Sequence, residues 1–455
     1  MRQTLKTISA VTARAPLVLF VCLLAAGIPE VVVARQKTAE SLLFDLKSPQ
    51  PERRRDAARE LGNRKLQQAT PDLVAAAADT DSGVRKEVVE ALDKMLDPRA
   101  LPAFVTLSAD PDKDIREKCL KGIVHLYLPR ETGLGARVSK VANFLNPWSD
   151  EWAEVIVDPG TTVDPGAISA LQARLQDSDE EIRIKTARAL GILRAKGAVP
   201  AMLGSVRDDR SNPVRFELIR SLRKINDPVV AKDLMNFITY SDSKIREEAV
   251  FTLGRLRYRE AVPEFARLFE RESSQPAKSV DKAYRERLLD ALAFIGDPAA
   301  KELFVKEQMN TDDLLRLHAF EGLARIGDPA MVTDVSRNRL REKDQRIRTA
   351  QAYALYRMGR NEYLDEVVNA LSDRKSRDVA RQYLVECKRE ELPLLYAQIK
   401  NKDVGVREGL AEVFGLIGDS NAVPVLQELA KDERGDIAAY ANQAIRRINA
   451  RMAVQ

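Results

Sequence analysis

Apolar side chains recur along most of this chain at intervals of three and four residues, the spacing that places them on one face of an α-helix. The segment Asp177–Pro200 illustrates the pattern, with an apolar face formed by Ile182, Thr186, Ala189, Leu190 and Leu193. Gly197 follows this helix as a terminator, and Pro200 suits the first turn of a second helix. The pattern therefore predicts two helices joined by a short turn.

The same two-helix unit returns along the chain, and its turns share a composition. Several turns contain an Asp-Pro step: Asp97-Pro98, Asp227-Pro228, Asp297-Pro298 and Asp328-Pro329. Others open the following helix with Ala-Val-Pro, at 198–200, 261–263 and 422–424. Because a helix with one apolar face must bury it against a neighbour, such units are stable only as a continuous stack.

An arginine marks each unit about every thirty-one residues. The eleven positions are Arg54, Arg85, Arg116, Arg183, Arg215, Arg246, Arg285, Arg316, Arg348, Arg377 and Arg407. Seven residues after each arginine stands an apolar side chain. A twelfth unit has Ala438 in place of the arginine, as expected of a terminal cap. A fixed period in this range indicates a stacked solenoid, so we expect an all-α fold of about twelve two-helix repeats.

An aspartate precedes the arginine by four residues in nine of the units. Such an aspartate can cap the helix by accepting hydrogen bonds from free backbone N–H groups. It can also pair with its own arginine one turn later, or with the arginine of the adjacent repeat. Because each arginine brings its own acid, we favour a structural ladder over a row that binds phosphate or carboxylate ligands. The predicted ladder consists of Asp81, Arg85, Asp112, Arg116, Asp179, Arg183, Asp242, Arg246, Asp312, Arg316, Asp344, Arg348, Asp403 and Arg407.

The repeated pattern D-x-x-[VI]-R-x-x-A-x-x-x-L-G resembles the HEAT repeat, in the short bacterial variety also found in phycobilisome lyase-type HEAT-like proteins. Asp242–Gly254 (DSKIREEAVFTLG) and Asp403–Gly415 (DVGVREGLAEVFG) match it well. The resemblance covers roughly residues 38–128 and 165–450 and implies a right-handed α-α superhelix. It implies no single activity, because this scaffold hosts adaptors, transport factors, enzymes and nucleic-acid binders.

The regular spacing of the repeating arginines is interrupted by a long interval between Arg116 and Arg183. Frequent proline and glycine in this stretch would interrupt two regular helices, so we place an insertion at 129–165. Its last part, from Glu154 to Val163, is expected to be extended. Its first part predicts a short amphipathic helix with an apolar face of Val138, Val141, Ala142 and Leu145.

The insertion contains both tryptophans of the chain, Trp148 and Trp152, beside Phe144. Exposed aromatic side chains clustered on a loop make good binding anchors. We therefore predict partner contacts at these three residues and at Arg137. The alternative is that the aromatic side chains pack the insertion onto the neighbouring repeats.

The first 34 residues stand apart from the repeats and have the composition of a secretory signal peptide. A basic start precedes the uncharged apolar run Pro16–Ile28, and modest side chains up to Ala34 suit a signal peptidase. We expect export to the periplasm or cell envelope, with an uncleaved anchor as the alternative. The predicted organisation is a signal at 1–34, repeats 1–3 at 35–128, the insertion at 129–165, and repeats 4–12 with a C-terminal cap at 166–455.

The balance of charge argues against a nucleic-acid partner. The chain has 73 Lys and Arg against 68 Asp and Glu, and removing three basic residues and one acidic residue with the segment 1–34 leaves 70 against 67. A nucleic-acid binder normally has a basic excess or stripe, whereas both signs alternate here within the same helices. We expect a protein partner, no nucleic acid, and membrane contact only through an uncleaved N-terminal segment.

The sequence contains no recognised catalytic or metal-binding motif. Its two histidines, His125 and His318, are followed by Leu126 and Ala319. Hydroxylases on this scaffold hold iron through His-Glu pairs, so the resemblance does not extend that activity to this chain. We expect no metal, no cofactor and no enzymatic activity.

The leading hypothesis is a non-catalytic protein–protein interaction scaffold or adaptor of the bacterial cell envelope. It would bind through the concave face, lined mainly by the second helix of each unit, and through the insertion. One alternative is an enzyme or enzyme subunit that acts on an envelope substrate, which would require a pocket that gathers several titratable groups. Another is an envelope-glycan binding protein that uses Trp148 and Trp152.

Overall fold

The computed structural model describes residues 37–128 and 154–452, apart from residues 159, 277, 338, 433 and 434. The predicted signal segment and the predicted amphipathic helix of the insertion lie outside the described residues. The same is true of the predicted partner contacts Arg137, Phe144, Trp148 and Trp152. All of these stay predictions.

Twenty-four α-helices form the regular structure of the described residues, which contain no β-strand. Odd-numbered helices lack the repeating arginine: α1 Ala39–Asp45, α3 Thr70–Ala76, α5 Leu101–Leu107, α7 Pro165–Arg174, α9 Val199–Asp208, α11 Ala231–Leu234, α13 Val262–Ser273, α15 Lys301–Glu307, α17 Val332–Ser336, α19 Leu364–Asn369, α21 Leu392–Tyr396 and α23 Ala422–Leu429. Even-numbered helices carry it, or Ala438 in the last unit: α2 Pro51–Asn63, α4 Ser82–Met95, α6 Lys113–Tyr127, α8 Glu180–Ile192, α10 Asn212–Ile225, α12 Ser243–Arg255, α14 Lys282–Ile295, α16 Asp313–Ile326, α18 Gln345–Arg357, α20 Arg377–Leu384, α22 Val404–Ile417 and α24 Gly435–Met452. These twelve pairs confirm the predicted all-α fold and its number of repeats.

Capping aspartates define where most even-numbered helices begin. Asp81 accepts a hydrogen bond from the backbone N–H of Val84, and Asp179 accepts from those of Glu181 and Ile182. Each cap satisfies backbone donors that the first helical turn leaves without an intrahelical partner. The same role belongs to Asp112, Asp242, Asp281, Asp312, Asp344 and Asp403.

The Asp-Pro steps produce the short turns between helices. Gly296 ends α14 in the left-handed conformation, with a φ of 64° that glycine adopts without steric cost. Asp297 then accepts a hydrogen bond from the backbone N–H of Ala299, and Pro298 begins the 3-10 turn that leads into α15. Local sequence chemistry is therefore sufficient to end one helix and begin the next.

The helices form two layers with a continuous core between them. Each even-numbered helix packs against the next one along the series from α2 to α24, and each odd-numbered helix or its 3-10 extension packs against the even-numbered helix that follows. The apolar side chains seven residues after the arginine lie in this core, and Leu61, Leu92, Leu190 and Leu222 are completely buried. No described helix combines the length and the apolar composition that crossing a membrane requires.

The glycine that ends the repeated pattern allows successive even-numbered helices to approach closely. A Cβ built on Gly254 of α12 would lie 2.6 Å from the Cα of Ala291 on α14. Gly62 of α2 meets Ala91 of α4 in the same way, at 2.5 Å. A side chain at these positions would have to displace backbone, which explains why the unit places glycine there.

The even-numbered helices form the inner side of the curved stack. Tyr383 on α20 donates to Glu321 on α16, two units away, at 2.7 Å. Arg257 after α12 and Glu386 after α20 lie 3.0 Å apart although four units separate them. Only the inner side of a curved stack brings such distant units together. The arginine-bearing helices, which come second in each of the twelve pairs, therefore form this inner side.

Candidate binding site on the inner wall

Repeating arginines connect neighbouring units through an acid of the following unit. Arg85 Nε lies 2.6 Å from Asp110 Oδ2, and Arg85 Nη1 donates to the carbonyl oxygens of Asp79 and Thr80. Burial alone would raise the pKa of Asp110, but the hydrogen bonds from Arg85 lower it. Equivalent ion pairs between successive units are Arg54–Asp79, Arg116–Asp177, Arg183–Asp209 and Arg407–Asp432.

The acid in these pairs is not the capping aspartate of the predicted ladder. Asp110 precedes the cap Asp112 by two residues, and Asp177 precedes the cap Asp179 by the same distance. The capping carboxylates accept backbone hydrogen bonds instead and pair with other cations, as Asp179 does with Lys113 at 3.0 Å. The predicted pairing therefore needs correction, because the arginine reaches an acid two residues before the cap.

Other ladder arginines have different surroundings. Arg246 pairs with the capping Asp281 itself, and Arg316 pairs with Glu342 at 3.3 Å. Arg348 is exposed. Since most of these guanidinium groups are already occupied by carboxylates and carbonyl oxygens, the row offers little to an external anion.

A second set of charged and aromatic side chains lines the inner wall, and it was not predicted from the sequence. It occupies positions two, five and nine after the repeating arginine, which share one face of a helix. Its members on α10, α12, α14 and α16 are Glu217, Arg220, Lys224, Glu248, Phe251, Arg255, Arg287, Asp290, Phe294, His318, Glu321 and Arg325. The spacing was readable in the sequence, but a charged stripe on a helix normally marks a solvent-exposed face.

Neighbouring helices are also joined by ion pairs between charged side chains of the inner wall. Arg188 Nη2 on α8 lies 3.1 Å from Glu217 Oε2 on α10, and both side chains are less than a tenth exposed. Arg223 on α10 lies 2.9 Å from Glu248 on α12. Burial raises the pKa of Glu248, and the facing Arg223 opposes that rise. The inner wall is therefore a cross-linked network of charges rather than a freely solvated surface.

A cleft of about 800 Å³ opens along this wall across α8, α10, α12 and α14. Its lining carries positively and negatively charged side chains and the aromatic ring of Phe216. The lining residues are Ile184, Arg188, Asn212, Pro213, Phe216, Glu217, Arg220, Asp242, Ser243, Lys244, Glu247, Glu248 and Arg287.

The described end of the insertion lies across the carboxyl ends of the inner helices. Glu154 accepts two hydrogen bonds of 2.8 Å from Arg223. The backbone N–H of Val157 donates to the carbonyl oxygen of Ile192 at 2.9 Å, and Asp158 lies 3.3 Å from Arg447 of α24. The described residues between 154 and 163 contain no helix. The backbone N–H of Thr161 donates to the carbonyl oxygen of Asp158 at 3.1 Å, so a turn interrupts the stretch that was expected to be extended. This segment therefore joins the fourth and fifth units to the last one.

Lys224 is buried close to the described end of the insertion. Its Nζ has no hydrogen-bond partner among the residues that the structure describes. Burial lowers the pKa of Lys224 to about 8, although Glu217 acts in the opposite direction. Because the charged form of Lys224 is buried without a hydrogen-bond partner among the described residues, it lowers the stability of the folded protein.

The two histidines have different surroundings. His125 is buried on α6, and its Nδ1 lies 2.6 Å from Asp93 Oδ1. His318 on α16 faces Asp290, Glu286 and Glu321. Burial alone would lower the pKa of His318, but these carboxylates raise it to about 10. His318 therefore lies in a group of four titratable side chains on the inner wall.

Solved structures that are similar to this chain include those of two different proteins. The complex of CpcE and CpcF of phycocyanin lyase from Nostoc sp. PCC7120 is 17% identical, covers 65% of this chain and 98% of its own, and has a TM-score of 0.27. Importin beta is 12% identical, covers 91% of this chain and 65% of its own, and has a TM-score of 0.44.

The comparison with protein families and curated proteins concerns the repeats. Deoxyhypusine hydroxylase of Gallus gallus is 32% identical over 120 residues, which is 26% of this chain and 38% of the hydroxylase. The match therefore spans well under half of that enzyme. The family model described as HEAT repeats matches residues 39–123 and 155–223. The chain thus carries HEAT repeats, and its described residues fold as an all-helical solenoid.

Proposed function

We propose that this protein is a non-catalytic scaffold of the bacterial cell envelope that binds a protein segment in the inner-wall cleft. The cleft itself carries the proposal, because it is about 800 Å³ in volume and crosses four successive repeats. It presents both charges around the half-buried ring of Phe216. A peptide suits such a cleft, since it offers spaced apolar and charged side chains to successive repeats.

Two charged groups at the cleft are available to a partner. Lys244 is exposed, and neither Lys244 nor Glu247 forms an ion pair with a residue that the structure describes. Burial and the nearby Asp281 raise the pKa of Glu247. A partner lysine or arginine placed against Glu247 would relieve that repulsion, so we expect the bound segment to carry charges of both signs.

The likeness to a hydroxylase does not make this chain an enzyme in our proposal. The match covers about a quarter of the chain, and neither His125 nor His318 is followed by glutamate. Stacked helical repeats commonly act through their extended surfaces, which supports a binding role. The predicted contacts in the insertion would add to the same partner surface.

A site-specific photocrosslinker tests the binding proposal. Placed at Lys244, it should give one defined protein adduct in intact envelopes, and Lys244→Glu should weaken binding of that partner at least tenfold. The control position is Lys306 on the outer helix α15, which is also exposed. Identical adducts at both positions, or no adduct at Lys244, would contradict a binding cleft on the inner wall.

Export is tested on the N-terminus of the protein recovered from cells. The signal segment 1–34 should direct the chain to the periplasm, and sequencing of the mature protein should begin at Arg35. Retention of the full chain in the membrane fraction would favour the anchor. A chain that stays in the cytoplasm with its first residues intact would rule out the envelope role.

A further inference from the structure

His318 lies at the centre of a group of carboxylates contributed by two inner helices. Its Nδ1 lies 3.0 Å from Glu321 Oε2 on the same helix, α16, and 3.7 Å from Asp290 Oδ1 on α14. Asp290, His318 and Glu321 can each offer one ligand atom such that the three atoms lie within 4.8 Å of one another. The side chains of His318, Asp290 and Glu321 are 12%, 10% and 4% exposed, so the group is largely closed to solvent.

Each of the two carboxylates is oriented by a further hydrogen-bonding partner. Tyr383 donates to Glu321 Oε1, the oxygen that faces away from the histidine, at 2.7 Å. Arg287 donates to Asp290 Oδ2, again the outer oxygen, at 2.8 Å. Metal-binding carboxylates and imidazoles are commonly held by this kind of outer contact, which fixes the direction of the remaining ligand atom.

The second nitrogen of the imidazole has an acidic neighbour as well. His318 Nε2 lies 3.7 Å from Glu286 Oε1. In metal sites, a histidine that binds through one nitrogen usually directs the other toward a carboxylate, which fixes the tautomer and increases the basicity of the ligand. The arrangement around His318 therefore has both an inner set of ligand atoms and an outer set of supports.

The two separations measured from the imidazole nitrogen agree with binding to a common ion. Ligand atoms about 2.1 Å from an ion lie roughly 3.0 Å apart at right angles and roughly 3.4 Å apart in a tetrahedron. The separations from Nδ1, 3.0 and 3.7 Å, fall close to these values. One imidazole with two carboxylates favours a divalent transition ion over Mg²⁺ or Ca²⁺, which prefer oxygen ligands throughout.

We propose that Asp290, His318 and Glu321 bind one divalent transition-metal ion, of the Zn²⁺ or Mn²⁺ type, between α14 and α16. The role is structural, because the site is buried and Tyr383 extends it to α20. Tyr383 also stacks on Tyr353 of α18, with ring centroids 4.4 Å apart. One ion would thus brace four successive inner helices next to the cleft, which Arg287 also lines. No metal was expected from the sequence, and the site is independent of the proposed partner.

The test uses full-length mature protein without a polyhistidine tag, stripped with a chelator and titrated with Zn²⁺, Mn²⁺, Mg²⁺ or Ca²⁺. We expect about one Zn²⁺ or Mn²⁺ per chain by elemental analysis, a higher melting temperature with the ion, and no comparable binding of Mg²⁺ or Ca²⁺. Co²⁺ should give a visible absorption band that reports nitrogen and oxygen ligands.

Matched variants assign the ligands. His318→Gln should weaken binding more than 100-fold and abolish the Co²⁺ band, whereas His125→Gln, at the buried histidine of α6, should leave both unchanged. Glu321→Gln retains the shape of the side chain and keeps the test valid if His318→Gln does not fold. Tyr383→Phe should weaken binding by roughly 10-fold to 100-fold. No bound ion at millimolar concentration, equal binding of Ca²⁺, or unchanged binding in both His318→Gln and Glu321→Gln would overturn the proposal.

Discussion

Arg116 Nε lies 2.9 Å from Asp177 Oδ2, although 61 residues and the whole insertion separate them along the chain. The two side chains are 11% and 3% exposed. Arg116 also donates to the carbonyl oxygens of Asp110 and Pro111, as the other ladder arginines do in their own loops. Helices α6 and α8 pack together like other successive inner helices. The repeat stack therefore continues across the insertion.

Removing this arginine should destabilise the stack at the insertion. Arg116→Ala leaves a buried carboxylate without its main partner, and we expect the free energy of unfolding to fall by about 3 kcal/mol. Urea unfolding followed by circular dichroism measures this loss. The control is Arg207→Ala, whose ion pair with Asp233 is 54% and 34% exposed and should contribute about 1 kcal/mol or less. Equal losses in the two variants would contradict a special role for the buried pair.

The close contact of successive inner helices predicts opposite effects of one substitution at two glycines. Gly254→Ala places a methyl group 2.6 Å from the Cα of Ala291, and should lower stability by about 1–3 kcal/mol. Gly204→Ala, on α9, meets nothing within 4 Å and should raise stability by about 0.4–1 kcal/mol. The melting temperatures of both variants, compared with that of the parent protein, test this prediction. A stabilised Gly254→Ala protein would show that the helices can move apart freely.

Lys224 predicts a dependence of stability on pH. Burial lowers its pKa in the folded protein to about 8, below its ordinary value in the unfolded chain. Between about pH 8 and pH 10 the unfolded chain binds more protons at this group, so its contribution makes the parent protein more stable as the pH rises. Below pH 8 the full cost of the buried charge is present, up to about 3 kcal/mol.

Lys224→Met should therefore stabilise the protein at pH 7, and this advantage should shrink toward pH 10. The difference in melting temperature between parent and variant, measured from pH 6 to pH 10, isolates this group from other titrating side chains. A pH-independent difference would show that the Lys224 charge is not responsible.

The tryptophans of the insertion remain the sequence-based candidates for partner contact. If Trp148 and Trp152 are anchors, replacing both by alanine should abolish capture of the partner while helicity and melting temperature stay unchanged. A large loss of stability would support the alternative, in which they pack the insertion onto the repeats. Addition of peptidoglycan or polysaccharide without any change in tryptophan fluorescence would exclude the glycan-binding alternative.

Local interactions made most of the fold predictable from the sequence. Asp81 and Asp179 each cap a helix, and the spacing of apolar residues alone determines which face of that helix is buried. The Asp-Pro turns likewise depend only on residues within a few positions of one another. The repetition of these signals determined the number of units and their all-helical character. Arg85 binds Asp110 and not the capping Asp112 of the predicted ladder, because the reach of a guanidinium to the next unit depends on how the units stack.

The contacts between side chains on the inner wall depend on the tertiary structure. Curvature brings Tyr383 to Glu321 and Asp158 to Arg447, which are separated by 62 and 289 residues, and no repeat pattern encodes such meetings. The group around His318 arises in the same way, because its acids come from two units and its supporting tyrosine comes from a third. The sequence by itself determined the repeating helices and the polar contacts within each turn. Only the sum of many small rotations between units decided which charged side chains face one another, since each rotation depends on how neighbouring side chains pack.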